Sequence, residues 1–145
     1  MNYLHLLLFV SSCMTVALAK TKCEEHRERE LASTMRLKFV PECTEEGGYE
    51  TLQCFSSDED KFCMCMSPEG KQIIGPARDI RNCECPVHYY KQFAESKKNS
   101  GVYIPSCNED GTYVKKQCHK AAGVCWCTDE KGNKTSEASR GSIIC

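Results

Sequence analysis

Thirteen cysteines in 145 residues are the side chains with the widest chemical reach in this chain. A thiolate can bind zinc, attack an electrophile or pair as a disulfide, and spacing and redox compartment decide among the three. Cys63 with Cys65, and Cys125 with Cys127, form Cys-x-Cys pairs that taken alone would suit a metal. They sit, however, at the ends of two matching runs. One leads from Cys43 through Gly47, Tyr49 and Gln53 to Cys54, Cys63 and Cys65; the other leads from Cys107 through Gly111, Tyr113 and Gln117 to Cys118, Cys125 and Cys127. Pro41 and Pro105 each stand two residues before the first Cys of their run, and the second run holds the only tryptophan, Trp126. A repeated unit of this kind takes precedence over any single motif.

The compartment follows from the start of the chain. Residues 4–19 are apolar, without Asp, Glu, Lys or Arg, and close on the small-x-small triplet Ala17, Leu18 and Ala19. The stretch is short for a stable membrane anchor and is expected to be a secretory signal over residues 1–19, although no Lys or Arg precedes it. Its removal takes Cys13 with it and leaves twelve cysteines, an even number in a secreted chain, which reads as a disulfide framework rather than reactive thiols or zinc ligands. No second apolar segment is long enough to span a bilayer, so a soluble protein without a membrane partner is expected. A net charge of −1 argues against nucleic acid or an anionic membrane surface held by bulk charge.

The twelve cysteines divide evenly, at 23, 43, 54, 63, 65 and 83 and then at 85, 107, 118, 125, 127 and 145. Three of the five gaps are identical, and the other two differ by two residues each, as surface loops in a fixed frame would. This gives two domains, 20–83 and 84–145, with only Glu84 between Cys83 and Cys85, so their relative orientation should be restricted. About 60 residues bury too little core to be comfortable alone, and disulfides must supply much of the stability. Six cysteines allow 15 pairings per unit. Neighbours such as Cys63 and Cys65 would need a strained ring, so each should pair elsewhere.

The elements that hold these cysteines are short. Residues 24–31 are good helix formers with acids at the start, and Leu31 is the clearest apolar anchor. In the second unit Pro86 suits a first helical turn; Val87, Tyr90 and Ala94 then fall on one face, with Tyr89 and Phe93 beside it. Loops follow at 32–38 and 96–101. Residues 49–54 and 113–118 read as strands after a Gly turn, with partners at 63–66 and 125–128; the tails 70–83 and 132–145 read as loops. The expected fold class is small disulfide-rich α+β: in each unit a short N-terminal helix, a small antiparallel sheet of two or three strands, long loops and three disulfides.

The order Pro-x-Cys, Gly-x-Tyr, Gln-Cys and Cys-Trp-Cys resembles the thyroglobulin type-1 repeat, twice, over nearly all of the chain after residue 19. The second unit fits best. The first departs at Met64, where the family usually has an aromatic, and lacks the Ser139, Arg140 and Gly141 triplet of the second. The resemblance implies first-to-second, third-to-fourth and fifth-to-sixth pairing: Cys23–Cys43, Cys54–Cys63, Cys65–Cys83, Cys85–Cys107, Cys118–Cys125 and Cys127–Cys145. Secreted chains made of little else resemble thyropins, which inhibit papain-like cysteine proteases with a wedge of three loops. The matching stretches are 32–38, 55–62 and 75–82 in the first unit and 96–101, 119–124 and 137–144 in the second. Carried over, this marks Ala32, Ser33, Thr34, Met35, Ser96, Asn99, Ser100, Gly101, Ala121, Ala122, Gly123, Ser139, Arg140 and Gly141 as protease-binding loop residues. Small side chains there would let backbone enter a narrow cleft, and disulfides would fix the loops before contact. The expectation is a monomeric inhibitor of a cathepsin L type protease, with no cofactor and no metal. A non-inhibitory extracellular binding module, a venom or salivary component, or an inhibitor of aspartic proteases is the alternative within the same resemblance.

Other residues favour plain structural roles. No G-x-S-x-G or other nucleophile motif is present, so no catalytic set emerges. Trp126 reads as packing around a bridge, and His26 and His88, each three residues after the first Cys of its unit, read as helix-surface or capping residues. The acidic run at 56–60 reads as a solvated loop. Asn133, Lys134 and Thr135 form a glycosylation sequon and predict an exposed loop.

Overall fold

The computed structural model describes residues 19–36, 38–56 and 61–145. The apolar leader (but for Ala19) and the acidic residues 57–60 lie outside them. Within the described residues the chain runs α1 (Lys22–Ala32), β1 (Leu52–Ser56), β2 (Lys61–Met66), β3 (Gln72–Ala77), α2 (Glu84–Ser96), β4 (Lys116–His119) and β5 (Val124–Cys127). The first unit carries a three-stranded antiparallel sheet in the order β1-β2-β3, the second a two-stranded hairpin β4-β5.

Helix α1 starts where its sequence supplies a reciprocal cap. The Thr21 hydroxyl accepts from the Glu24 amide at 3.3 Å, and the Glu24 carboxylate accepts from the Thr21 amide at 2.8 Å. Leu31 is not its anchor: it is 54 % exposed at the solvent end of the helix. The helix is held instead by buried Cys23, by Arg27 donating to the Pro41 carbonyl at 2.8 Å, and by His26 against Tyr49. A mostly charged helix with one disulfide and two polar ties does not need an apolar stripe.

Helix α2 buries Cys85, Pro86 and Val87. Val87 packs among Cys63, Cys65, Ile80 and Cys83 of the first unit, so the second unit's helix completes the first unit's core. Ala94, expected on the buried face, is exposed, while Tyr89 and Phe93 stack on each other with ring centroids 5.8 Å apart and remain half-exposed. The join is rigidified further by Asp110, whose carbonyl accepts from the Arg81 and Asn82 amides and whose carboxylate meets the Arg81 guanidinium.

The strands are shorter than the sequence suggests. Tyr49 and Tyr113 form only isolated bridges, to Cys43 and Cys107, because the chain is still turning there; pairing proper begins at Leu52 and Lys116. The first tail is not a loop throughout, since residues 72–77 form β3 against β2. In the second unit the same positions make only the bridges Cys125↔Ser139 and Thr128↔Lys134, which match Cys63↔Ala77 and Met66↔Gln72.

Each unit is built around one fully buried glutamine. Gln53 accepts from the Glu42 amide and donates to the Glu42 and Glu50 carbonyls, all at 2.8 Å. Gln117 accepts from the Ser106 amide at 2.8 Å and donates to the carbonyls of Ser106 at 2.8 Å and Val114 at 2.7 Å. The carboxamide thus replaces the ladder partners that the segments before Cys43 and Cys107 lack.

Candidate functional site

Six disulfides join Cys23–Cys43, Cys54–Cys63, Cys65–Cys83, Cys85–Cys107, Cys118–Cys125 and Cys127–Cys145. They account for every described cysteine, and no group of His, Cys, Asp and Glu able to hold a metal ion occurs among the described residues. Cys118 and Cys125 lie directly opposite each other in the hairpin register, so their bridge clamps the base of the loop 120–123.

Three loops of the second unit converge on that end of the hairpin. Helix α2 closes at Ser96, whose hydroxyl donates to the Phe93 carbonyl at 2.8 Å. The chain then passes exposed Asn99, Ser100 and Gly101, with the Asn99 side chain accepting from the Gly101 amide at 3.0 Å. The Gly101 carbonyl lies 2.8 Å from His119 Nε2, which ties this loop to the hairpin loop. Ala121, Ala122 and Gly123 form the exposed tip, and Gly123 takes φ +65° with its amide donating to the His119 carbonyl at 2.9 Å. The third loop is fixed where Ser139 and Cys125 exchange both backbone hydrogen bonds at 2.8 Å. Beyond it Arg140 and Gly141 are exposed, and the Gly141 amide donates to the Ser139 hydroxyl at 3.1 Å.

Beneath the three loops Tyr103 packs against Trp126 at 4.9 Å and against His119 and His88 at 6.0 Å each. Burial, and then the nearby Tyr113, push the Tyr103 hydroxyl up to about 12, so it stays protonated and donates to Gln117 at 2.7 Å. Lys134 lies over the Trp126 ring at 4.6 Å. The packing role of Trp126 is as its sequence position suggests, whereas Tyr103, His119 and Lys134 carry no such signal of their own and His88 lies under the loops rather than on the helix surface. Only the comparison of the two units marks Tyr103: it stands four residues before Cys107, as Phe39 stands before Cys43.

The first unit builds the same end with different groups. Ala32 is the last helical residue, and the C-cap Ser33 accepts from the Met35 amide at 3.2 Å. Thr34 is exposed and Met35 is 68 % exposed. Phe39, Phe55 and Phe62 form a ladder with centroids about 6 Å apart, and Arg78 of the third loop lies over Phe62 at 5.3 Å. Asn133 belongs to neither cluster. It lies in the turn beyond the far end of the β4-β5 hairpin, past Cys127 rather than near Val124.

The arrangement offers pinned, exposed backbone with small side chains at its tips, and every described cysteine is held in a disulfide. Comparison with known proteins agrees with the pattern of the units. The thyroglobulin type-1 repeat profile matches residues 20–85 and 87–145. The chain is 36 % identical over 143 residues to U20-hexatoxin-Hi1a of Hadronyche infensa, covering 97 % of each chain. It is 36 % identical over 121 residues to U24-ctenitoxin-Pn1a of Phoneutria nigriventer, covering 81 % of this chain and 89 % of that one. It is also 32 % identical over 100 residues to equistatin of Actinia equina, covering 65 % of this chain and 42 % of that one. With both copies matched along the cysteine frame and the loops it carries, the chain belongs to the thyroglobulin type-1 repeat family.

Proposed function

We propose that the protein is a secreted, monomeric, non-enzymatic inhibitor of papain-like cysteine proteases of the cathepsin L type, which it blocks by inserting a three-loop wedge into the active-site cleft. The observation that carries this reading is the convergence of loops 97–101, 120–123 and 139–141 on one end of the second unit, the first held by the His119 side chain on the Gly101 carbonyl, the second by a disulfide and the third by a backbone pair. Loops already held in shape lose little conformational entropy on binding, so contact area is converted to affinity with a small ordering cost. Ala121, Ala122 and Gly123 leave the backbone narrow enough to approach a catalytic cysteine without offering it a reactive group. The resemblance to thyropins supports cysteine proteases as the target class, and the toxin names of two relatives of similar length support a secreted, venom-type setting.

A binding-module reading is favoured by one other feature. A cleft of about 720 Å³ runs between the units, lined by Ile73, Ile74, Tyr89, Phe93 and Pro105 among others. Titration of residues 20–145 against papain and cathepsin L, with an aspartic and a serine protease as controls, decides between the two. Sub-micromolar inhibition confined to the cysteine proteases, with the inhibitor left uncleaved, is the expected result. No inhibition of any cysteine protease would overturn the proposal and move the reading to aspartic proteases or to the binding module.

A further inference from the structure

We propose that Asn133 carries an N-linked glycan, attached before the second unit folds and projecting from the end of that unit remote from loops 97–101 and 120–123. The proposal rests on the secretory reading of residues 1–19, because the sugar donor is met only along that route. Asn133 and Thr135 supply the acceptor amide and the hydroxyl of the sequon, and Asn133, Lys134 and Thr135 are all exposed. In the first unit the matching positions are Lys71, Gln72 and Ile73, so the feature belongs to one unit alone.

The folded turn shows both why the modification fits and why it must come early. The Asp129 carboxylate accepts from the backbone amides of Lys131 at 3.0 Å and Asn133 at 2.9 Å, and from Asn133 Nδ2 at 2.8 Å. The Asp129 amide donates to the Asn133 carbonyl at 3.0 Å. Every polar group of Asn133 except its side-chain oxygen is therefore engaged, and Asp129 holds the nitrogen that would have to attack. In the unfolded chain that nitrogen is free. It forms a bond to C1 of an oligosaccharide carried on a lipid pyrophosphate, the C1–O bond to the pyrophosphate breaks, the lipid pyrophosphate leaves, and one Nδ2 proton is lost to base. The secondary amide keeps one N–H. That proton can still donate to Asp129 once the turn closes, so the same hydrogen bond that shields the folded amide accommodates the modified one.

The far side of the turn is crowded, which fixes the direction of the glycan. Gly132 has φ +86°, and the Tyr113 ring lies directly beneath it, while Lys134 covers Trp126. The sugar leaves on the open side. Strand β5 carries the chain from Val124, at the loop end, to the Thr128↔Lys134 bridge, whose Lys134 is the middle residue of the sequon, a span of about 13 Å at strand rise.

The test is expression of the whole chain with its own leader in cultured insect cells, followed by mass analysis of the peptide spanning Asn133 before and after N-glycosidase. The expected result is a hexosamine-containing increment on that peptide, conversion of Asn133 to Asp by the glycosidase, loss of the increment in Thr135→Ala and its retention in Thr135→Ser. An unmodified Asn133 overturns the proposal, and whether the chain stands in the medium or inside the cell shows if the secretory reading falls with it. Unglycosylated protein offered to microsomal transferase should be modified when reduced and refused when folded; equal modification of both forms overturns the order of events.

Discussion

His88 Nδ1 lies 2.9 Å from the Tyr113 hydroxyl, and His26 Nδ1 lies 3.0 Å from that of Tyr49. The pair fastens each helix to the segment after the Gly turn, and the same tyrosine rings floor Gly132 and Gly70. Neither histidine is a loose surface group, and both take a structural part at one shared offset.

The pair makes the second unit sensitive to acid. Burial, and then the charge of Lys91, hold His88 below the ordinary histidine range. With the folded value below the unfolded one, the unfolded chain binds more protons, so stability is complete above about pH 6.5 and falls as pH drops through the folded value. Denaturant midpoints at pH 7.5 and 5.5 should therefore show weaker folding at pH 5.5, and the difference should shrink in His88→Gln. A midpoint that rises on acidification would contradict the assignment.

The two buried glutamines differ by one hydroxyl. Tyr103 donates to Gln117, whereas the first unit has Phe39 at the matching position and Gln53 accepts without it. Tyr103→Phe should cost about 1 kcal/mol, the usual net worth of one such bond. Gln117→Ala should cost several times that, because each orphaned buried partner adds about 1–3 kcal/mol. Phe39→Tyr should stabilise the first unit by up to about 1 kcal/mol. Guanidinium unfolding of the oxidised chain measures all three.

Gly111 and Gly123 both have positive φ, at +86° and +65°, but their surroundings differ. A Cβ on Gly111 would land on the backbone carbonyl of Asn82 across the join, while a Cβ on Gly123 meets nothing within 4 Å. Gly123→Ala should cost only the left-handed backbone penalty of about 1–2 kcal/mol. Gly111→Ala should cost more and also shift the two units, which small-angle scattering and the chemical shifts around Asn82 would register. Equal costs for the two variants would show that the join is loose.

These contrasts also mark what the sequence could and could not convey. The repeat, the two helices and the neighbouring strands around each Cys-x-Cys are legible because cysteine spacing is rigid and turn glycines are conspicuous. The pairing of the cysteines is not, since excluding a bridge within Cys-x-Cys removes only a few of the fifteen arrangements per unit and the family resemblance alone chooses among the rest. Leu31 misled because apolar character marks an anchor only where something covers it. Strand β3 was missed because Gly75 and Pro76 break the usual strand pattern while the β2 ladder still accepts the segment. Val87 in the first unit's core was invisible because a contact across the join has no local period. At the candidate site the resemblance marks loop residues that the structure leaves exposed at 99–101 and 121–123. The support under them is not legible, because His119 meeting Gly101 depends on how α2 docks.

The loop tips give the sharpest separation of binding from folding. Ala122 is exposed and lies within a turn whose base is clamped by Cys118–Cys125 and by the Gly123 amide on the His119 carbonyl. Ala122→Trp adds bulk where nothing in the fold is displaced, so unfolding midpoints should move by less than about 0.5 kcal/mol, as surface substitutions usually do. In a narrow cleft the same bulk must be desolvated against a wall it does not fit. If the second unit is the wedge, inhibition of cathepsin L should weaken at least tenfold, equivalent to about 1.4 kcal/mol. Met35→Glu probes the first unit through its 32–38 loop, where Met35 is an exposed apolar side chain. A loss confined to Ala122→Trp would assign inhibition to the second unit, and a loss confined to Met35→Glu to the first. Halved stoichiometry in each would assign it to both. Full inhibition by the double variant, with folding intact, would remove the loops from the binding surface altogether.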